Sequence, residues 1–144
     1  MTVSQEMVSS LIRQAAQARE KAYAPYSHFQ VGAALLAEDG CVYTGCNVEC
    51  VSYPITQCAE RTALCTAVAQ GKRKFLAIAV VGAPETASWP FADVCPPCGA
   101  CRQMLMEFCR DGRLLCILAK GEKDYQTHWL KDLLPVTFGA AHLH

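Results

Sequence analysis

Three cysteines and one glutamate form the most specific chemical pattern in this chain of 144 residues. Cys58 and Glu60 lie two residues apart, and Cys98 and Cys101 follow within the run Pro-Cys-Gly-Ala-Cys. Three thiolate ligands leave the fourth corner of a tetrahedral zinc ion open for water, as in catalytic rather than structural zinc sites. Zinc acidifies bound water, and a carboxylate close by can carry its protons. The pattern therefore predicts a hydrolase with one zinc ion per chain, three cysteine ligands and Glu60 as the catalytic proton carrier.

The same order of residues is the signature of zinc deaminases that act on nucleobases. That signature is His-x-Glu followed by Pro-Cys-x-x-Cys, and Cys replaces His in some members. Here Cys58 takes the His position. Three thiolates give the metal centre a net negative charge, which opposes the acidification of water. Arg61 follows three residues later on the same helical face, so we expect its guanidinium to hydrogen-bond a ligand sulfur and withdraw charge without binding the metal itself.

Two other uses of these cysteines are open at this point. Cys95 and Cys98 form an overlapping Cys-x-x-Cys, which is the spacing of a redox pair on a thioredoxin-like fold. That interpretation leaves Cys58, Glu60 and Cys101 unexplained. Alternatively, Cys95 is a fourth ligand of a structural zinc site, which would close the open corner of the metal and leave Glu60 idle.

Hydrophobic periodicity and turn residues predict the elements that must position these side chains. Helices are predicted over 2–23, from 56 or 57 to 70, over about 98–110 and briefly at 130–134, and strands over 30–36, 41–46, 75–81, 114–118 and 125–129. Thr2 and Gln5 are a candidate capping box for the first helix. Cys58 and Cys98 each begin a helix, where the helix dipole lowers thiol pKa values. This order predicts an α/β fold, a three-layer α/β/α sandwich around a mixed sheet.

Composition narrows the class of protein. Apolar residues make up 52% and charged residues 18%, so we expect one folded domain over residues 1–144. The formal net charge is 0, which disfavours a nucleic-acid partner because phosphate binding usually requires a basic excess. Residues 1–10 lack a secretory signal pattern and no apolar run reaches membrane length, which predicts a soluble, cytoplasmic protein. Among the ten cysteines, we expect Cys65, Cys109 and Cys116 to be buried in the core.

Over nearly its whole length the chain resembles the small homotetrameric cytidine deaminases. The matching segments are residues 25–29 (PYSHF), 31–34 (VGAA), 45–49 (GCNVE), 58–63 (CAERTA), 97–103 (PCGACRQ), 133–135 (LLP) and Phe138. The resemblance implies the cytidine deaminase-like fold with a mostly five-stranded sheet. It also implies a free nucleoside substrate, a homotetrameric assembly and no nucleic-acid or membrane partner.

The resemblance further assigns substrate-binding residues. Asn47 and Glu49 match ligands of the ribose hydroxyls, and the carboxylate would repel a 5′-phosphate. Phe29 matches an aromatic near the sugar and base. The backbone N–H of Ala59 matches a donor to the base carbonyl, and Phe138 matches a ring that stacks on the base from a neighbouring subunit. Core packing is the alternative role for both aromatic rings.

The implied reaction is zinc-dependent hydrolysis of cytidine and 2′-deoxycytidine to uridine and 2′-deoxyuridine with release of ammonia, a step of pyrimidine salvage. In this hypothesis zinc-bound hydroxide attacks C4 and Glu60 shuttles protons to N3 and then to the amino group. The chain departs from the family at Cys50-Val51, where Asn-Ala is usual, at Pro96, and in a longer stretch over 84–93.

Other functions are open on these residues alone. A deaminase of another aminated heterocycle, such as a cytosine-bearing antibiotic, would use the same metal centre. A nucleic-acid deaminase would also use it. A zinc-stabilised binding module without catalysis would instead need four sulfur ligands and would release no ammonia.

Overall fold

The computed structural model describes residues 2–143, so the predicted domain over 1–144 extends one residue beyond them at each end. The five strands are β1 (Phe29–Ala37), β2 (Val42–Cys46), β3 (Phe75–Pro84), β4 (Leu115–Gly121) and β5 (Asp124–Trp129). The α-helices are α1 (Gln5–Arg19), α2 (Ala59–Ala69), α3 (Gly99–Glu107) and α4 (Leu130–Leu133), with short 3₁₀ turns at Tyr53–Ile55 and Ala140–His142. Every predicted helix and strand is present, and their ends differ by a few residues.

The sheet is mixed and has the strand order β2-β1-β3-β4-β5. The hairpin of β1 and β2 is antiparallel, β1 also runs antiparallel to β3, and β5 is antiparallel to β4. Only β3 and β4 are parallel neighbours within residues 2–143, and α3 connects them as parallel strands require. The prediction of a mixed, five-stranded α/β sheet is therefore confirmed.

Two apolar cores make the structure three-layered. On one face, α1 packs on alternate residues of β1 and β3 through Leu11, Ile12 and Ala15. On the other face, α2 and α3 cover the opposite side chains of the same strands through Leu64, Leu105 and their neighbours. Because side chains alternate along a strand, β1 and β3 must be apolar on both faces, and this explains the continuous apolar run in β3.

Gly45 sets the place where α2 meets the sheet. A Cβ atom at Gly45 would lie 2.5 Å from the backbone oxygen of Ala59 and 2.5 Å from the nitrogen of Ala63. Only glycine permits this close approach. The first turn of α2, which carries Cys58 and Glu60, is thereby seated directly on the end of the hairpin.

Two predictions about the helices are wrong. Ser4, not Thr2, caps α1: its Oγ accepts the Met7 N–H at 3.2 Å, while the Gln5 side chain donates to the Tyr125 hydroxyl at 2.9 Å. Cys65 is exposed rather than buried, because it lies on the side of α2 that faces away from the sheet. Cys109 and Cys116 are buried as predicted.

Within residues 2–143, no helix is both long and apolar enough to cross a bilayer.

Candidate metal centre and active site

The three predicted ligands meet where two helices begin. Cys58 is the N-cap residue of α2, Cys98 is the N-cap residue of α3, and Cys101 lies in the first turn of α3. The Sγ atoms of Cys58 and Cys98 are 3.8 Å apart, those of Cys98 and Cys101 are 3.6 Å apart, and all three lie within 4.8 Å of one another. Residues forty positions apart in sequence therefore form one triangle of sulfur atoms.

This triangle fits a zinc ion. With Zn–S bonds of about 2.3 Å and tetrahedral angles, ligand sulfurs should be separated by roughly 3.8 Å. The two shorter separations match that value. Among the described residues Cys95 is not a member of the cluster, so no fourth sulfur closes the coordination sphere. The donor set is that of a site with one position left for water.

The pKa of the Cys58 thiol is lowered by its neighbours, which favours binding of a cation. Hydrogen bonds from Cys101 first, and from Arg61 and Cys98, lower the pKa of Cys58 to about 5. The Cys101 thiol donates in this pair, and its contact with the Cys58 sulfur raises its own pKa. The cluster thus favours a thiolate at Cys58, and metal binding would displace the remaining thiol protons.

Glu60 lies beside these sulfurs and is almost inaccessible, with 4% of its surface exposed. Burial raises its pKa to about 7, and the neighbouring Cys58 adds to the effect. A carboxyl group with a pKa near neutrality both accepts and releases protons readily at physiological pH. Glu60 is thus a titratable group beside the sulfurs that is shielded from bulk water.

Arg61 contacts the metal centre from outside the triangle. Its Nη2 lies 3.4 Å from Cys58 Sγ and 3.3 Å from the Thr56 carbonyl oxygen. Its Nε is buried and has no hydrogen-bond partner within the part of the chain that is described. The guanidinium is thus held against a ligand sulfur, where it withdraws negative charge.

Asn47 is buried and bonded to backbone. Its Oδ1 accepts the Val31 N–H at 2.9 Å, and its Nδ2 donates to the Phe29 carbonyl at 2.8 Å. One amide hydrogen and one oxygen lone pair remain for another partner. The predicted sugar ligand therefore also fixes the first residues of β1.

Glu49 is held by the turn that precedes β1. Its Oε1 accepts the N–H groups of Tyr26 and Ser27 at 3.0 and 3.1 Å, and its Oε2 accepts the Ser27 hydroxyl. The Ser27 hydroxyl is the main cause of a lowered pKa at Glu49. The carboxylate is therefore ionised and oriented before any substrate binds.

Ala59 and Phe29 were also predicted to bind substrate, and Cys95 was an alternative metal ligand or redox thiol. Ala59 is buried at the first position of α2, where backbone N–H groups have no acceptor within the helix. The half-exposed Phe29 ring lies over Gly82, where an added Cβ would be 3.2 Å from the ring and 2.7 Å from Cys95 Sγ. Burial raises the pKa of Cys95 to about 11, which makes it a poor redox thiol.

Phe138 lies in the tail that follows α4. It is 60% exposed and stacks on His142 with ring centroids 5.3 Å apart. Its carbonyl accepts the Gln103 side chain at 2.9 Å. A cavity of about 300 Å³ between α3 and this segment is lined by neither the cysteines nor Glu60.

Sequence reasoning gave no role to three residues that support the site. Arg102 donates from Nε to the Pro97 carbonyl at 2.8 Å and from Nη1 to the Leu133 carbonyl at 2.7 Å, which fixes the loop before Cys98. Arg19 is buried and donates to the carbonyls of Gln30, Ala83 and Pro84 at the ends of β1 and β3. The third is Ser27, described above. Such residues carry no spacing signal, because most of their partners are brought near only by the fold: backbone carbonyls for the two arginines and the Glu49 carboxylate for Ser27.

Residues 5–117 match the family described as the cytidine and deoxycytidylate deaminase zinc-binding region. The chain belongs to this family. The match spans α1 to the first half of β4 and includes all three cysteines and Glu60. The predictions of a zinc cofactor and of a hydrolytic enzyme of this deaminase family are thereby confirmed.

Relatives of known name agree with the family assignment. The chain is 48% identical over 131 residues to a cytidine deaminase of Sporosarcina psychrophila, and the aligned region covers 91% of this chain and 90% of the relative. It is 44% identical over 125 residues to a cytidine deaminase of Mycobacterium tuberculosis, which covers 87% and 84%. The crystal structure of cytidine deaminase from Burkholderia pseudomallei superimposes with a TM-score of 0.79 at 48% identity, over 90% of this chain and 97% of that one.

Proposed function

We propose that this deaminase-family enzyme hydrolyses free cytidine and 2′-deoxycytidine to uridine and 2′-deoxyuridine with release of ammonia, as a step of pyrimidine salvage. The observation that carries the proposal is the triangle of three cysteine sulfurs with the buried Glu60 beside it. The names of the relatives support cytidine as the substrate.

Cys58, Cys98 and Cys101 hold the metal in this proposal. When bound there, zinc supplies a Lewis acid that lowers the pKa of a water molecule next to the pyrimidine. Arg61 offsets part of the negative charge of the thiolates from its position 3.4 Å from Cys58 Sγ.

Glu60 performs the proton transfers. It takes a proton from the attacking water and delivers it to N3 of the pyrimidine while the water oxygen bonds to C4. It then takes the proton of the hydroxyl now on C4 and gives it to the amino group, so that the C4–N bond breaks, a C4 carbonyl forms and ammonia leaves. Its burial beside the sulfurs keeps bulk water from competing for these protons. The free N–H at Ala59 holds the base carbonyl during these steps.

The sugar side selects a nucleoside. Asn47 and Glu49 bind ribose hydroxyls, and Phe29 packs beside the sugar and base. The ionised Glu49 repels a 5′-phosphate, so nucleotides and polynucleotides are poor substrates. The formal net charge of 0 agrees with a substrate that has no phosphate backbone.

We further propose that the working enzyme is a homotetramer of single catalytic domains located in the cytoplasm. Phe138 then stacks on the base bound by a neighbouring subunit. Its high exposure supports that role.

The test is an assay of the purified protein with cytidine, following both the ultraviolet absorbance of the ring and the release of ammonia. We expect turnover that a chelator removes and added zinc restores. Glu60→Gln should lower kcat by about 10²- to 10⁴-fold, the usual effect of losing a positioned proton carrier. Its zinc content should equal that of the parent protein.

Glu38→Gln, at an exposed turn, is the matched control and should retain full activity. Full activity of a zinc-loaded Glu60→Gln protein would contradict the mechanism. Parallel incubations with single-stranded DNA, single-stranded RNA and a cytosine-bearing antibiotic separate the substrate classes. Turnover of one of these but not of cytidine would refute the proposed substrate.

A further inference from the structure

The carboxylate of Glu49 has its hydrogen-bonding capacity nearly filled by one turn. A carboxylate offers about four acceptor sites, two on each oxygen. The N–H groups of Tyr26 and Ser27 take both sites of Oε1, and the Ser27 hydroxyl takes one site of Oε2. One acceptor site on Oε2 remains for an outside donor.

The Ser27 hydroxyl is also a junction between other residues at this end of β1. Its Oγ accepts the Phe29 N–H at 3.1 Å while it donates to Glu49. The carbonyl of Phe29 in turn accepts the Asn47 amide at 2.8 Å. One connected path of hydrogen bonds therefore runs from Asn47 through Phe29 and Ser27 to Glu49.

The backbone around Ser27 holds this path in place. His28 has a φ of 57°, a left-handed conformation that residues other than glycine adopt rarely. Its N–H donates to the Ala24 carbonyl at 3.0 Å and its carbonyl accepts the Glu85 N–H at 2.8 Å, which closes the turn and ties it to the end of β3. Ser27 and Glu49, with Tyr26, Tyr53 and Thr56, line an open groove of about 370 Å³.

We infer that Ser27 is a positioning residue for sugar recognition, which orients the Glu49 carboxylate so that its one free acceptor site takes a single hydroxyl of the substrate sugar. This inference rests on the proposed function of Glu49 as a sugar ligand. Ser27 does not touch the reacting atoms of the base. Its effect is therefore on binding of the sugar and not on the proton transfers at Glu60.

The experiment compares Ser27→Ala with Ser27→Thr, which keeps the hydroxyl, and with Ser88→Ala as a matched change at an exposed serine. Ser27→Ala should raise KM for cytidine about tenfold with kcat within about twofold, because a hydrogen bond to a charged group is lost from ground-state and transition-state binding alike. Ser27→Thr should restore KM to within about threefold of the parent, and Ser88→Ala should not change it.

A second substrate separates positioning from general structural support. With 2′,3′-dideoxycytidine, which lacks both secondary hydroxyls, Ser27→Ala should have KM within about twofold of the parent. The same loss of effect is expected with cytidine when Ser27→Ala is added to Glu49→Gln. A purely structural role would lower activity on both substrates and in both backgrounds.

Several results would overturn the inference. These are equal KM values for Ser27→Ala and Ser88→Ala, equal losses on cytidine and the dideoxy analogue, or no recovery in Ser27→Thr. If Ser27→Ala lacks a cooperative thermal transition, Ser27→Cys supplies a weaker donor of similar shape, and its KM should lie between those expected for parent and Ala. A parent protein that does not deaminate cytidine would overturn the proposed function as well, whereas an active parent with an unaffected Ser27→Ala overturns the inference alone.

Discussion

The metal side and the sugar side of this site are built in different ways. On the metal side, Cys58, Cys98, Cys101 and Glu60 all belong to the first turns of two helices whose starts lie at one end of the sheet. The residues predicted for the sugar side come from the start of β1, an irregular segment after β2, and a tail. The Phe29 side of the site is open, with 37% of that residue exposed, whereas only 4% of Glu60 is exposed.

The metal side and the sugar side also differ in how fully a single chain builds them. The three sulfurs and the buried carboxyl of the proposed catalytic centre all come from one chain. On the sugar side, Asn47 and Glu49 form most of their hydrogen bonds with backbone groups of the same chain. Exposed apolar side chains at Val51, Tyr53 and Ile55 border that region, as expected for a surface that another subunit covers.

The largest expected effect comes from breaking the metal side. Cys101→Ala removes a buried ligand and leaves two sulfurs, which cannot hold catalytic zinc in the same geometry. We expect loss of most bound zinc and of all measurable deaminase activity. Zinc per chain is measured by atomic absorption alongside the cytidine assay.

The control for this change is Cys65→Ala, which alters an exposed cysteine on the outer side of α2. It should keep one zinc per chain and full activity. Retained zinc and activity in Cys101→Ala would mean that another side chain completes the coordination sphere, with Cys95 as the nearest untested thiol. The metal side would then not be the closed unit described here.

The contrast also explains how far the sequence could predict the site. Cys58, Glu60 and Cys98 lie at helix starts, and a helix start can be read from local spacing and fixes the direction of its side chains. Their meeting point follows once both helices are placed at one sheet edge. Hydrophobic periodicity likewise gave the order of helices and strands along the chain, and the resemblance favoured the last strand, over 125–129.

The errors and omissions arise where the partner is distant in sequence. Cys65 has apolar neighbours, and only the packing of α2 on the hairpin shows that it faces outward. Ser27 bonds locally to the Phe29 N–H, but its acceptor Glu49 is 22 residues away and is brought near by the pairing of β1 and β2. The role proposed for Phe138 needs a second chain, so neither spacing nor the fold of one chain could predict where its ring stacks.

An intermediate effect is expected from removing the Phe138 ring, which is proposed to stack on a base bound by a neighbouring subunit. Phe138→Ala should lower kcat/KM for cytidine about tenfold, since stacking of a base on an aromatic ring contributes about 1–3 kcal/mol. Co-expression with Cys101→Ala chains should restore part of the activity, because those chains have no working metal side but still supply Phe138. Activity per metal-loaded chain in purified mixed assemblies is the measurement.

Leu143→Ala, at another exposed apolar residue of the tail, is the matched control and should neither lose activity nor gain from co-expression. If Phe138→Ala is as active as the parent protein, Phe138 has no part in substrate binding. If its activity falls but co-expression restores nothing, the ring acts within its own chain.

The smallest expected effect is on stability and tests whether the sugar side is set before substrate binds. The hydrogen bond from the Ser27 hydroxyl is the main cause that holds the pKa of Glu49 below its ordinary value of 4.5. A carboxyl with a lowered folded-state pKa stabilises the fold fully above its unfolded-state pKa and loses that contribution as pH falls through the folded-state value. The difference in free energy of unfolding between the parent and Glu49→Gln should therefore be constant at neutral pH and shrink below about pH 4.5. Urea unfolding of both proteins at a series of pH values measures this difference, and loss of zinc in acid affects both proteins alike.

In the Ser27→Ala background the pH-dependent part of the difference should be smaller, because the strongest donor to Glu49 is gone. A difference that stays flat into acid, or that grows there, would mean that the turn does not hold the carboxylate ionised and that substrate itself must orient the sugar side.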